Sequence, residues 1–171
     1  MPVIYHERAI YQGRKEIPVI KVSRINGKMH TDSEVIKIFL EEPEPGSYLS
    51  DHRYFKDVQI RELDDYYSLV YSGVYKGEMF KLDAVDYSAG VVRITTGDNR
   101  GERCEELKEI GVDGQYYDRG MIYHKMLPPE ALDRIIRKKH SYFTKQTEER
   151  TVSADEFWAE VLEARTYIEK R

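Results

Sequence analysis

A five-residue pattern occurs twice in this chain, and it limits the folds the chain can adopt. Ala9-Ile10-Tyr11-Gln12-Gly13 is echoed by Gly73-Val74-Tyr75-Lys76-Gly77, an offset of 64 residues. Each Tyr-x-Gly precedes an apolar run, Ile17 to Val22 or Met79 to Val85. A turn glycine follows, Gly27 or Gly90, then a short segment ending in threonine, Lys28 to Thr31 or Val92 to Thr95. Glycine supplies the positive φ of a tight turn. Each copy therefore reads as a meander of three strands. The echo resumes at Tyr54 to Val58 before Arg61-Glu62-Leu63-Asp64, and at Tyr123 to Leu127 before Glu130-Ala131-Leu132-Asp133. There the offset is 69, which places the inserted residues around the turn-like Gly111-Val112-Asp113-Gly114. Each copy then ends in a last strand and a short helical turn.

Fourteen tyrosines against five phenylalanines and one tryptophan fit this pattern. A tyrosine ring packs while its hydroxyl reaches water, which suits strands with one wet face. The strands of the first copy fall at about Val3 to Tyr11, Glu16 to Ser23 and Lys28 to Thr31. Pro18 lacks an N–H, which marks its strand as an edge or a bulge. Asn26-Gly27 is a strong hairpin turn. Asp32 to Leu40 reads as a short helix capped by Asp32 or Ser33, with Val35, Ile36, Phe39 and Leu40 on its apolar face. The acidic segment Glu42-Pro43-Glu44-Pro45-Gly46 ends it. In the second copy, Tyr67 to Tyr75, Glu78 to Tyr87 and Gly90 to Thr95 read as strands, Thr96 to Gly101 as a loop, and Glu102 to Ile110 as a helix stopped by Gly111. Ser153-Ala154-Asp155-Glu156 is a capping box. The helix it opens carries Phe157, Val161, Ala164 and Ile168 on one stripe.

These elements give an α+β, β-rich chain: two tandem repeats of a small SH3-like antiparallel β module plus a C-terminal amphipathic helix. The first module spans 1–66 and the second 67–140. Residues 141–152 read as a linker and 153–171 as the terminal helix. Modules of this size have modest cores and gain from being fused.

The 171 residues carry a formal net charge of −4, which argues against bulk nucleic-acid affinity. No stretch approaches the length of an apolar membrane span, and the first residues lack the apolar centre of a signal peptide. The expected location is the cytoplasm. Cys104 is the one cysteine, so neither an intramolecular disulfide nor a cysteine-built metal site is available. The five histidines, His6, His30, His52, His124 and His140, show no paired metal-ligand spacing. No metal and no cofactor are expected.

Catalytic patterns are equally sparse. Cys104 is followed by Glu105 and Glu106, which disfavour its thiolate. No Gly-x-Ser-x-Gly elbow occurs. Thr96-Gly97-Asp98-Asn99-Arg100-Gly101 could cradle a phosphate before a helix, but Asp98 and Glu102 oppose an anion there, and Asp98 or Asn99 reads better as a cap. Carboxylate pairs are too numerous for any one to stand out. The expectation is a protein that is not an enzyme.

Charge placement is more informative. Asp32 to Asp65 holds ten acids against four bases. Glu41, Glu42, Glu44, Asp51, Asp64 and Asp65 are interleaved there with Tyr48, Tyr66 and Tyr67. Carboxylates steer a basic partner and aromatic rings anchor it, so these nine residues form the candidate partner-binding surface. The basic run Arg134, Arg137, Lys138, Lys139, His140 sits at one helix end in this reading. It supports an alternative, a small β-barrel adaptor for a peptide or nucleic acid.

The residues Val74, Tyr75, Gly77, Thr96, Gly97, Asp98, Asp118, Arg119, Gly120, Tyr123 and Lys125, with the closing Leu-Asp, together resemble a pattern of small bacterial immunity proteins of polymorphic and contact-dependent toxin systems. The resemblance covers about residues 5–136 and leaves the terminal helix aside. It implies a cytosolic protein that neutralises a cognate toxin by direct binding, without catalysis. The implied partner is a toxin domain, with no membrane partner.

Overall fold

The computed structural model describes residues 4, 7–21, 24–25, 28–29, 35–98, 102–117 and 120–168. The turn expected at Asn26-Gly27, the caps expected at Asp32 or Ser33, His6, His30, Asn99 to Gly101, Asp118 and Arg119 lie outside them. The chain divides into two compact units. The N-terminal unit holds Tyr5–Leu69, Lys139–Glu148 and Trp158–Arg171, and the central unit holds Met1–Ile4, Val70–Lys138 and Glu149–Phe157.

The N-terminal unit begins with strands β1 (Glu7–Tyr11), β2 (Arg14–Lys21), the short pair β3 (Arg24–Ile25) and β4 (Lys28–Met29), β5 (Val35–Leu40), β6 (Tyr48–Ser50) and β7 (Arg53–Gln59). A 3-10 turn, Ile60–Glu62, leads into β8 (Asp65–Tyr75). All pairings are antiparallel: β1 with β2, β2 with β5, β5 with β7, and β7 with β6. The other side of β1 takes the start of β8, with Ile10 opposite Asp65 and Glu7 opposite Ser68. Ala9, Tyr11, Ile17, Val19, Ile36, Ile38, Leu40, Val58, Leu63 and Tyr66 pack as one core. Their alternation along β1, β2 and β5 is the period of strands with one buried face.

In the central unit, β8 continues to Tyr75 and turns through Lys76-Gly77 into β9 (Glu78–Asp86). Then come β10 (Val91–Asp98), helix α1 (Cys104–Glu109), β11 (Asp113–Tyr117), β12 (Gly120–Leu127), a second 3-10 turn (Pro129–Ala131) and β13 (Arg134–Ser141). β14 (Thr147–Val152) and helix α2 (Ala154–Ile168) complete the chain. β9 pairs with β10, β10 with β12 and β12 with β11, while β13 pairs with β8 and β14. Phe80, Leu82, Ala84, Val92, Ile94, Tyr123 and Leu127 are buried, and the Tyr71 and Phe157 rings meet edge to face at 5.1 Å.

Both units contain the same bonded detail. In the N-terminal unit the Asp64 N–H donates to the Ile10 carbonyl at 2.8 Å, and the Asp64 carboxylate accepts from the Gly13 N–H at 2.8 Å. In the central unit the Asp133 N–H donates to the Val74 carbonyl at 2.8 Å, and its carboxylate accepts from the Gly77 N–H at 3.2 Å. Each aspartate follows a 3-10 turn and ties it to a first hairpin. At both hairpins a non-glycine residue with positive φ precedes the glycine: Gln12 at 52° and Lys76 at 50°.

The architecture is β-rich and antiparallel with a C-terminal helix, and several elements differ from those the sequence pattern predicts. Residues 35–40 form a strand, not a helix: the run Val-Ile-Lys-Ile-Phe-Leu is rich in β-branched residues, and Ile36, Ile38 and Leu40 bury one face. β2 is no edge, because it pairs on both sides and its pairing with β5 begins only at Val19, past Pro18. Thr96 to Asp98 extend β10 instead of forming a loop. α1 has Arg103 at its N-cap and no side-chain cap. The supposed linker 141–152 contains β14. The basic run 134–140 is strand, not helix.

Candidate functional site

The candidate surface is built on the N-terminal unit, and the structure divides its nine residues into two places. Five of them lie where β5 passes through a loop into the β6–β7 hairpin. Glu41 and Glu42 leave the end of β5, exposed. Pro43 and Pro45 keep the next segment extended, and Gly46 turns it at φ 80°. Ser47 closes the turn: its hydroxyl accepts from the Glu44 N–H at 2.8 Å, and its own N–H donates to the Glu44 carbonyl at 2.9 Å. The Glu44 carboxylate lies 3.7 Å from Lys56 Nζ. The Tyr11 hydroxyl, with a smaller contribution from Glu44, holds the Lys56 ammonium above the usual lysine value.

Tyr48 then crosses the hairpin. Its ring stacks over Phe55 with centroids 6.0 Å apart, and its hydroxyl donates to Asp57 Oδ1 at 3.2 Å. Lys37 Nζ sits 5.3 Å from the Tyr48 ring centroid and 5.4 Å from that of Phe55, within the range of cation–π attraction. Phe55 is buried against Phe39, with centroids 4.9 Å apart. The tyrosine is therefore fixed from three directions while 37% of it stays exposed. Its neighbour Leu49 is 61% exposed. At the hairpin tip, Asp51 and His52 both have positive φ, 48° and 61°. Two consecutive left-handed residues make the type I′ turn that matches strand twist. Glycine would adopt that turn more easily, but Asp51 and His52 put a carboxylate and an imidazole at the tip.

The other four residues are elsewhere, and two of them are corrections. Tyr66 and Tyr67 are buried, at 4% and 0% exposure, so neither can reach a partner. The Tyr66 ring packs on Tyr142 at 4.6 Å, and burial first, then Glu7, pushes its phenol above the ordinary tyrosine value. Asp64 closes the first hairpin as described. The Asp65 Oδ1 accepts from the Ser141 hydroxyl at 3.0 Å and from the Tyr66 N–H at 2.8 Å. Its Oδ2 lies 3.3 Å from Lys139 Nζ, which also sits 4.1 Å from the Tyr67 ring centroid. Asp64 and Asp65 line a depression of about 330 Å³ with Lys139, Ser141 and Phe143, to which the hairpin residues contribute nothing. These two carboxylates fasten the fold.

The surface that remains is Glu41, Glu42, Glu44, Tyr48 and Asp51, joined by three residues outside the expected nine. Leu49 and His52 stand beside named residues, and Asp57 receives the Tyr48 hydroxyl. The sequence signal for all three is the turn between Ser50 and Arg53, which folds β6 back on β7. Among the described residues, no group of three or more His, Cys, Asp or Glu side chains is placed to hold a metal, and no helix is long and apolar enough to cross a membrane.

Comparison with protein-family models, with curated proteins and with solved structures finds no match to this chain.

Proposed function

We propose that the chain is a non-catalytic binding protein of the bacterial immunity or antitoxin kind, acting in the cytoplasm by covering part of the surface of a toxin domain. One observation carries the reading: the β6–β7 hairpin presents a tyrosine, Tyr48, that Phe55, Asp57 and Lys37 hold in place while 37% of it stays exposed, in an acidic stretch of chain. Anchors of this kind dominate protein interfaces, and a ring already immobilised by Lys37, Phe55 and Asp57 loses little freedom on binding. Glu41, Glu42 and Asp51 would steer a basic partner onto Tyr48. The motif resemblance to immunity proteins supports the same assignment. The matching Asp64 and Asp133 bonds, each behind a 3-10 turn, support a tandem pair of SH3-like modules as the scaffold.

The test is capture from the native host with tagged protein, followed by co-expression of any captured toxin. A stoichiometric partner is expected, together with relief of its growth arrest. Tyr48→Ala should weaken binding by about 2 kcal/mol, the scale of an interface anchor. Glu41→Lys with Glu42→Lys should slow association and reduce its salt dependence. Unchanged affinity in both variants would remove the hairpin as the interface. Recovery of nucleic acid in place of a protein would overturn the immunity reading in favour of an adaptor.

A further inference from the structure

Glycine 97 has no evident structural reason to be glycine. Six of the described glycines, at 13, 46, 77, 90, 111 and 120, have positive φ. Gly73 and Gly114 are held small by packing: a Cβ would come within 2.9 Å of Leu132 at the first and 2.6 Å of Tyr123 at the second. Gly97 lies within β10 without positive φ, and a Cβ there would meet nothing within 4 Å. A strand glycine costs backbone entropy and gives up a packing side chain, and one remaining reason for it is the close approach of a ligand or another chain.

The sheet face around Gly97 has the form of a site. It lines an open groove of about 590 Å³ in the central unit, within the size range of ligand pockets. Gly97 pairs with Ile122, which is 39% exposed. One step along, Lys81, Thr95 and His124 form a single cross-strand row on β9, β10 and β12. Next to it the β9–β10 register shifts between Arg93 and Ile94, leaving Asp83 as the extra residue. Bulges re-aim side chains, and they recur beside binding sites. This one sets Asp83 against Arg93 in a two-pronged ion pair, 2.8 Å from Nε and 3.0 Å from Nη2.

We propose that this groove binds an extended acidic peptide, which crosses the sheet over Gly97 and places a carboxylate against Lys81, Thr95 and His124. Charge selects the occupant. The lining holds Lys81 and Arg93 against one carboxylate, Asp83, which pairs with Arg93, so it carries an excess of one positive charge in a chain of net charge −4. Among the described residues the lining holds no Phe, Tyr or Trp, and its one ring is the His124 imidazole, so the groove lacks the succession of stacking platforms on which single-stranded nucleic acids bind. The site belongs to the central unit and is independent of what the acidic hairpin binds.

The test is an amide NMR titration of the full chain with a synthetic octapeptide of alternating serine and glutamate, alongside its glutamine counterpart. The glutamate peptide should move the amides of Thr95, Gly97, Ile122 and His124 in a saturable way, and the glutamine peptide should not. Gly97→Leu sets its Cβ in open space and should abolish these shifts while leaving the other amides in place. Lys81→Glu, at an exposed position, should raise Kd about tenfold, the scale of one charge-assisted bond. If Gly97→Leu perturbs the fold, Lys81→Glu decides. The proposal fails if neither peptide moves these amides, if both move them equally, or if Lys81→Glu binds like the parent. Shifts produced by oligothymidylate but not by the glutamate peptide would overturn it and make the groove a nucleic-acid site.

Discussion

Two aspartates, one in each unit, perform the same task, and their geometry ranks them. Asp64 accepts from the Gly13 N–H at 2.8 Å, and Asp133 from the Gly77 N–H at 3.2 Å. Asp64→Ala should therefore cost more stability than Asp133→Ala, with about 1 kcal/mol expected for the shorter bond. Chemical denaturation of the two variants measures the difference, and an equal or reversed order would mean that bond length does not govern it. Both aspartates were visible in the sequence as the ends of echoed Leu-Asp pairs, though nothing in the pattern revealed what they hold. The tyrosines were harder to read. Tyr48 and Tyr66 look alike in sequence, each near acidic residues, yet one is 37% exposed and the other 4%. Which face a residue takes depends on register, and register depends on strands distant in the chain.

Hairpins are the elements that sequence reads best, since their turn residues are local. The Tyr-x-Gly turns fall where expected, and β2, β8 and β9 lie within two residues of their expected bounds, whereas β1 begins at Glu7 instead of about Val3. Residues 35–40 show where such reading fails. Val35, Ile36, Phe39 and Leu40 fit one helical face, and a short apolar run satisfies either period. Pairing with β2 and β7 settles it as strand. β14 leaves no mark in the sequence for a related reason: five of its six residues are exposed, so it shows no hydrophobic alternation. At the start of α2, the Ser153 hydroxyl accepts from the Glu156 N–H at 3.1 Å, as a capping residue should. The Glu156 side chain instead pairs with Arg150, and that bond holds its carboxyl below the ordinary value of 4.5. A carboxylate with a lowered native pKa contributes stability that is present above its unfolded pKa and is lost as pH falls through the native value. Glu156→Gln should therefore melt earlier than the parent at neutral pH. The gap should close as pH drops below about 4.5. A gap that persists at lower pH would show that the side chain acts through something other than its charge. Thermal midpoints recorded across this range decide the matter.

Across the molecule, β8, β13 and α2 are each divided between the units, with breaks after Leu69, Lys138 and Phe157. The chain carries one tryptophan, Trp158, in the N-terminal unit and one cysteine, Cys104, in the central unit. Tryptophan emission and a fluorophore on Cys104 thus report the two units separately. Strands shared in this way should make unfolding cooperative, so both probes are expected to give the same denaturant midpoint. Two separate midpoints would mean that each unit unfolds alone. The order of the units along the chain also limits how such a gene can be cut. A fragment ending at Leu69 keeps the stretch of β8 that pairs with β1, and a fragment beginning at Val70 keeps the stretch that pairs with β9. The same cut nevertheless sends Lys139–Glu148 and Trp158–Arg171, which belong to the N-terminal unit, with the second fragment. A single crossover therefore cannot pass on the N-terminal unit whole, and recombination would preserve it only by inserting or removing the central stretch from within.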